Sequence, residues 1–254
     1  MLDFVYYPVS AVLWLWHTAF AAVFGGASGL AWVLAVIFLV MTLRALLLRP
    51  FLAQARFMRA LAAAQPEMQR IQRDYADDPT RRTAELRKIQ QQHGVNVLTG
   101  FLPIVAQGLV FLGLFHVLRS FQDAATANYV FGADQVRSFL SATVFGAPLT
   151  SALTTVADTF AATTAVVIPL ALLTAVVTHL TARVSLRRQE PTTGQFADIM
   201  KFVSLWVFPI GSVIAGAVMP LAIVVYFATN SVWTLVQQHV VARRTGAQPD
   251  VVPG

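Results

Sequence analysis

The sequence predicts an all-α polytopic membrane protein: a five-span helical bundle with a cytoplasmic helical hairpin between spans one and two. Three observations carry that prediction. Hydrophobic residues make up 57% of the 254-residue chain and charged ones 12%, against about 25% charged in soluble domains; mean hydropathy is +0.65. The apolar residues fall in five runs, each roughly the length a helix needs to cross a bilayer core. The charge is concentrated in one block, Arg49 to Asn96, between the first two runs.

Residues 1–29 are expected to form an external N-terminal interfacial segment. Tyr6, Tyr7, Trp14 and Trp16 are side chains that favour the membrane interface. From Val9 only sixteen residues lead to Phe24 and the Gly25-Gly26 break, short for a span and suited to an amphipathic helix lying in the interface. No Lys or Arg precedes Arg44, so the cationic start of a cleavable signal is missing. Span one is Leu30–Leu48, nineteen residues that are apolar except for Thr42 and Arg44.

Residues 49–96 read as the hairpin. Met58, Leu61, Met68, Ile71 and Tyr75 recur at helical spacing as one apolar stripe. Gln65-Pro66 interrupts it, and the proline is expected to kink or divide the helix. Asp78-Pro79 reads as a cap followed by a first-turn proline. Leu86 and Ile89 give the second helix an apolar face, and Gly94 ends it. The basic outer surface suits anionic headgroups as well as a protein partner.

Span two covers 99–118, an external loop 119–163, span three 164–182, a cytoplasmic loop 183–201, span four 202–218, span five 221–240 and a tail 241–254. Pro103, Pro169 and Pro209 lie within spans, where neighbouring helices can re-satisfy the backbone groups that proline frees. The external loop is poor in charge, with a short interfacial helix expected around Ser138 to Phe145.

Nine Lys or Arg residues lie between Arg49 and Lys88, four more between Arg183 and Lys201, and Arg243 and Arg244 in the tail; the other side has Arg119 and Arg137. Basic residues gather on the cytoplasmic side, so the N-terminus is expected outside and the C-terminus in the cytoplasm. The lack of an Arg- and Ser-rich transit peptide favours a bacterial plasma membrane over an organelle.

Several functions are disfavoured. The chain has no cysteine, which excludes disulfides and thiolate metal sites. A transporter or channel would show several intramembrane ionisable groups or an internal repeat; there is one arginine and no repeat. An intramembrane protease needs a nucleophile with its base or paired aspartates, but Ser204 and Ser212 have no convincing histidine partner and the predicted spans hold no Asp. No enzyme activity, cofactor or direct nucleic-acid site is expected. Assembly of membrane complexes without autonomous insertion stays open.

Arg44 asks for a reason. A charge at the centre of a span costs roughly 2.5–3.5 kcal/mol. Arg44 lies about 6 Å from the Leu48 boundary at 1.5 Å per residue, a distance its side chain can snorkel. A headgroup anchor and a functional interior charge both fit. His17, His116 and His179 read as interface or polar-face residues rather than ligands or catalysts.

A span ending in an arginine, a basic hairpin containing Gln65-Pro66, and then NVLTGFLPIVAQGLVFLGLF together resemble the YidC/Oxa/Alb family of membrane insertases. The family pattern after the hairpin is met by Asn96, Gly100, Pro103 and Gln107. MPLAIVVYFATNSVWTLVQQH is similar to the family's final span through Pro220, Tyr226, Trp233, Gln237 and Gln238. YYPVSAVLWLWH looks most like the actinobacterial branch. The likeness covers about Leu2 to Arg244. It departs from the pattern at Asn96-Val97 (usually Asn-Pro), at Asn230-Ser231 (usually reversed), at Leu221-Ala222 (where a Gly usually follows the proline) and at the displaced Pro50.

The resemblance implies insertion of newly made membrane proteins through a hydrophilic intramembrane groove, open to the cytoplasm and to lipid and closed outside. The implied groove residues are Arg44, Gln107, Asn230 and Ser231, though Gln107 reads equally as an interhelical hydrogen bond. Tyr226 and Phe227 line the slide along which a client leaves, or pack the core. The hairpin, with Gln65, Pro66, Met68 and Ile71, is implied to be mobile and to receive the client first. Implied partners are nascent membrane proteins, the lipid bilayer, the Sec translocon and, through Arg243 and Arg244, the ribosome; those two arginines equally suit a positive-inside anchor. A monomer would suffice.

Overall fold

A computed structural model describes residues 2–93, 97–121, 128–155, 158–187 and 195–245. Gly94, the expected end of the second hairpin helix, and Asn96 lie outside the described residues, as does the tail beyond residue 245. The chain divides into two compact units, Met1–Met41 with Phe115–Gly254, and Thr42–Leu114.

The helices in order are α1 (Asp3–Phe24), α2 (Gly29–Leu46), α3 (Leu48–Asp74), α4 (Pro79–Gln92), α5 (Val97–Arg119), α6 (Ala133–Ser141), α7 (Phe160–Leu186), α8 (Gln195–Phe202), α9 (Phe208–Val218) and α10 (Leu221–Thr245). A π-helical turn, Val203–Val207, joins α8 to α9. Two short strands, β1 (Thr143–Val144) and β2 (Ala147–Pro148), form an antiparallel hairpin.

Among the described residues, four stretches are long and apolar enough to cross a membrane: α1, α2, α7 and Asp198–Val218. The last three match predicted spans one, three and four. Predicted span two corresponds to α5, whose apolar part Ile104–Arg119 is shorter. Predicted span five corresponds to α10, whose apolar run is diluted by Asn230, Ser231, Thr234, Gln237 and Gln238.

The fourth apolar stretch, α1, is 22 residues long, not sixteen, because the helix starts at Asp3 and continues through Pro8. Both halves of α1 make contacts within the first unit. Tyr6 stacks on His116 of the last turn of α5 at 4.1 Å, and Tyr7 meets Tyr129 edge-on at 5.3 Å. The Tyr129 hydroxyl and His116 Nε2 are hydrogen-bonded at 2.8 Å. Near the other end of α1, His17 stacks on Trp32 at 3.7 Å. Its Nε2–H donates to the Gly26 carbonyl at 3.2 Å.

Trp32 is the hub of this layer. It is fully buried, and Phe121, Phe131 and Phe139 surround its ring. Its indole N–H donates to Ser138 Oγ at 3.0 Å, and the Ser138 hydroxyl in turn donates to the Gly26 carbonyl. This chain of bonds pins the α1–α2 turn to α6. The expected loop helix is present as α6 but ends at Ser141. The strands that follow turn through Phe145 (φ 51°) and Gly146 (φ 81°), the two positive values a type I′ hairpin needs. Gly29 lies under β1, where a Cβ would run into the Thr143 carbonyl.

Behind this layer α7 packs on α9 and α10. Gly216 allows the approach to α9, since a Cβ there would lie 2.8 Å from that of Ala171. The start of α10 is held by the loop before α7: the N–H groups of Leu221 and Ala222 donate to the carbonyls of Ser151 and Leu149 at 2.8 and 3.0 Å. Two donors that a helix start otherwise leaves unpaired are thus satisfied.

In the second unit α3 and α4 pack together. Ala64 is fully buried, and Met68, Ile71, Tyr75, Leu86 and Ile89 are half-buried. Glu67 and His93 meet at 3.6 Å. The predicted cap is present: Asp78 accepts from the Arg81 N–H at 2.9 Å and Pro79 occupies the first turn. Of the two outcomes expected at Pro66, a kink or a division, the division does not occur; α3 runs through it as one 27-residue helix.

Candidate functional site

The sequence-predicted site residues fall on four elements. Arg44 sits in the last turn of α2 and is half-buried. Gln107, also half-buried, lies near the middle of α5. Both belong to the second unit. Gln65 is half-buried and Pro66 exposed on α3, with Met68 and Ile71 half-buried. Asn230, Ser231, Tyr226 and Phe227 belong to α10 in the first unit.

At about 100° per residue, α10 has two unlike faces. Asn230, Ser231, Thr234 and Gln238 share one side with Phe227. Asn230, Ser231 and Gln238 are half-buried, and the Thr234 hydroxyl donates back to the Asn230 carbonyl at 2.8 Å. Val225, Thr229, Val232 and Val236 share the other. The sequence pointed to Asn230 and Ser231 and named Gln238 only for its likeness to the family's final span; it did not place Thr234 and Gln238 with them, although their spacing four and eight residues from Asn230 is the signal of a shared helical face. Tyr226 is 1% exposed, which makes it a core residue. Phe227 is half-buried beside it, ring centroids 5.6 Å apart.

The apolar face of α10 closes an open groove of about 780 Å³ with α7 and the middle of α2. Val33, Ile37, Leu170 and Leu173 contribute to its walls, and Phe145 stands at its edge. Its two polar side chains are occupied within α10: Thr229 Oγ1 donates to the Val225 carbonyl at 2.8 Å, and the Trp233 indole N–H donates to Gln237 Oε1 at 3.1 Å. The groove therefore offers methyl and methylene contact and little hydrogen bonding.

The stretch leading into α9 holds a feature that sequence reasoning missed. Pro209 has no N–H to return to the Leu205 carbonyl four residues earlier. His179 of α7 fills that place: its Nδ1–H donates to the Leu205 carbonyl at 2.8 Å. The helix is π-helical over Val203–Val207, a geometry that recurs at functional sites. Trp206, Phe208, Ile210 and Ile214 are exposed, an apolar face turned outward from the packed unit. No cluster of His, Asp or Glu able to hold a metal exists among the described residues.

The sequence model of the 60Kd inner membrane protein family matches residues 23–248, which takes in every element from the end of α1 to α10. The chain belongs to that family, the one of YidC and Oxa. Among its relatives, a membrane protein insertase YidC of Mycolicibacterium paratuberculosis is 42% identical over 264 residues, covering 94% of this chain and 75% of that protein. One of Mycobacterium tuberculosis is 40% identical, covering 94% and 72%. One of Streptomyces avermitilis is 33% identical, covering 96% and 58%. This YidC/Oxa chain therefore has actinobacterial relatives, in keeping with the likeness of its opening segment.

Proposed function

We propose that the protein inserts newly made membrane proteins into a bacterial plasma membrane, through a hydrophilic intramembrane groove carrying Arg44, Gln107, Asn230 and Ser231, alone or with the Sec translocon. The observation that carries this reading is the match, over 94% of the chain, to proteins named membrane protein insertase. The polar face of α10 opposite its apolar one supports it, because a groove wall that also packs in a membrane needs both.

The physics is as follows. A client's external tail must cross an apolar layer in which its peptide groups and carboxylates are costly. Polar side chains and water admitted beside them shorten that crossing. A guanidinium attracts the tail's carboxylates and stays charged at any working pH. The client's own span then moves from water into hydrocarbon, gaining about 25 cal/mol per Å² of apolar area. No nucleotide is needed for these steps.

In this reading α2, α5, α7, the α8–α9 stretch and α10 are the five spans, and α1 lies in the outer interface, as its contacts at both ends support. The N-terminus is outside and the C-terminus in the cytoplasm. The α3–α4 hairpin is cytoplasmic and receives the client, with Arg70, Arg73 and Arg87 exposed on its surface. The ribosome and the Sec translocon are further partners, and one copy suffices.

The test is insertion of a single-span client with an acidic external tail into liposomes holding the purified protein. Arg44→Ala should abolish insertion and Arg44→Lys should retain it, with folding checked by thermal unfolding. Normal insertion by a folded Arg44→Ala would make Arg44 a headgroup anchor. No insertion by the wild-type protein would favour assembly of complexes without autonomous insertion.

A further inference from the structure

Where α5 finishes and α9 turns into α10, a second pocket of about 340 Å³ opens in the first unit. Its walls include Leu118, Phe121, Phe139 and Ile223, none more than 7% exposed. They belong to the packed core, so the pocket is preformed. Arg119, whose side chain is exposed, is the only charged residue among the described lining residues, and Thr150 lines the pocket as well. The Arg119 guanidinium lies 5.8 Å from the centroid of the Phe115 ring. That contact draws on its charge, while the guanidinium's five N–H donors form a fork that can serve several oxygens together.

We propose that this pocket binds an anionic phospholipid of the outer leaflet, its phosphate on Arg119 and an acyl chain against Leu118, Phe121, Phe139 and Ile223. Three observations converge on that chemistry. The walls suit a hydrocarbon chain and the exposed arginine suits an anion, so the occupant is an amphiphile with a negative head. A planar guanidinium matches phosphate oxygens two at a time. Arg119 is also one of two basic residues on the side where the chain is poorest in them, so the tendency of basic residues to gather inside does not explain it. A free phosphate would leave the apolar walls unused, and an apolar partner helix would have no use for the arginine. The inference rests on the membrane reading above, in which α5 leaves the bilayer at Arg119.

The experiment titrates the purified full chain in detergent with phosphatidylglycerol, phosphatidylcholine or water-soluble glycerol phosphate and follows thermal unfolding. Phosphatidylglycerol should raise the unfolding temperature at about tenfold lower concentration than phosphatidylcholine, the scale of a charge-assisted hydrogen-bonded pair. Arg119→Gln should remove that preference, and Arg119→Lys should keep part of it. Ala222→Leu, which fills the pocket wall, should weaken both lipids. Equal response to the two lipids in the wild type, or an undiminished preference in Arg119→Gln, overturns the proposal. A response to glycerol phosphate equal to that of phosphatidylglycerol overturns it in favour of a simple anion site. Client insertion measured on the same preparations is a separate readout, so loss of the lipid preference leaves the insertase reading standing.

Discussion

At the scale of single residues, a proline inside a membrane helix sets a specific debt that a neighbour must meet. Pro209 cannot donate to the Leu205 carbonyl, and His179 does so from another helix at 2.8 Å. In hydrocarbon an unpaired carbonyl finds no water. His179→Ala should therefore lower stability by about 1–2 kcal/mol, read from thermal or denaturant unfolding in detergent. His179→Asn, which keeps an N–H donor, should recover part of the loss; equal loss in both would show that ring packing against Trp206, at 5.4 Å, is what matters. The sequence showed each partner separately, as an in-span proline and a histidine near a span end. Nothing local said that residues 26 apart would meet, and His179 was read as an interface residue for that reason. Ser138 and Gly26, 112 residues apart, were illegible for the same reason.

At the scale of elements, the apolar runs were legible because a span must be long and uniformly apolar, a property of composition that neighbours do not alter. The start of α1 was not, because Tyr6, Tyr7 and Pro8 read as an interfacial belt ahead of a helix, whereas the helix passes through all three. Pro66 left a kink and a division both open, and the division does not occur. A proline inside a helix removes one hydrogen bond and crowds the preceding turn, at about 3 kcal/mol relative to Ala, yet α3 stays one helix through it. Pro66 is exposed, so its replacement costs no packing. Pro66→Ala should stabilise α3 by roughly 1–3 kcal/mol, seen as slower hydrogen exchange of the amides around Ala62 to Arg70. If the hairpin must move to receive a client, the same variant should insert more slowly although it is the more stable protein. Faster exchange in the variant would mean that the proline ring makes a contact that the helix needs.

At the scale of the whole molecule, the arrangement to test is how the chain crosses the bilayer, and the absence of cysteine makes single-cysteine labelling clean. By length and hydropathy alone α1 would cross, which would put Phe4 and Ala27 on opposite sides. Its contacts argue otherwise. Tyr6 and Tyr7 meet His116 and Tyr129, while His17 and Gly26 meet Trp32 and Ser138. The Trp32 and Tyr129 groups both lie in the first unit, and the Asn128–Phe131 bridge joins the Tyr129 turn to the ring cluster in which Phe121 contacts Phe131 and Phe139. A helix whose two halves are tied to one connected cluster runs along it. In the proposed orientation the Lys- and Arg-rich segment 49–88 faces the cytoplasm. Phe4→Cys, Ala27→Cys and Asp134→Cys should therefore all react with an impermeant thiol reagent added outside intact cells, and Asp77→Cys only after the cells are opened. Labelling of Ala27→Cys with Phe4→Cys protected, or the reverse, would make α1 a sixth span. It would also reverse the side assigned to one of its termini, and the Lys and Arg distribution would then have to be explained without α1 at the interface.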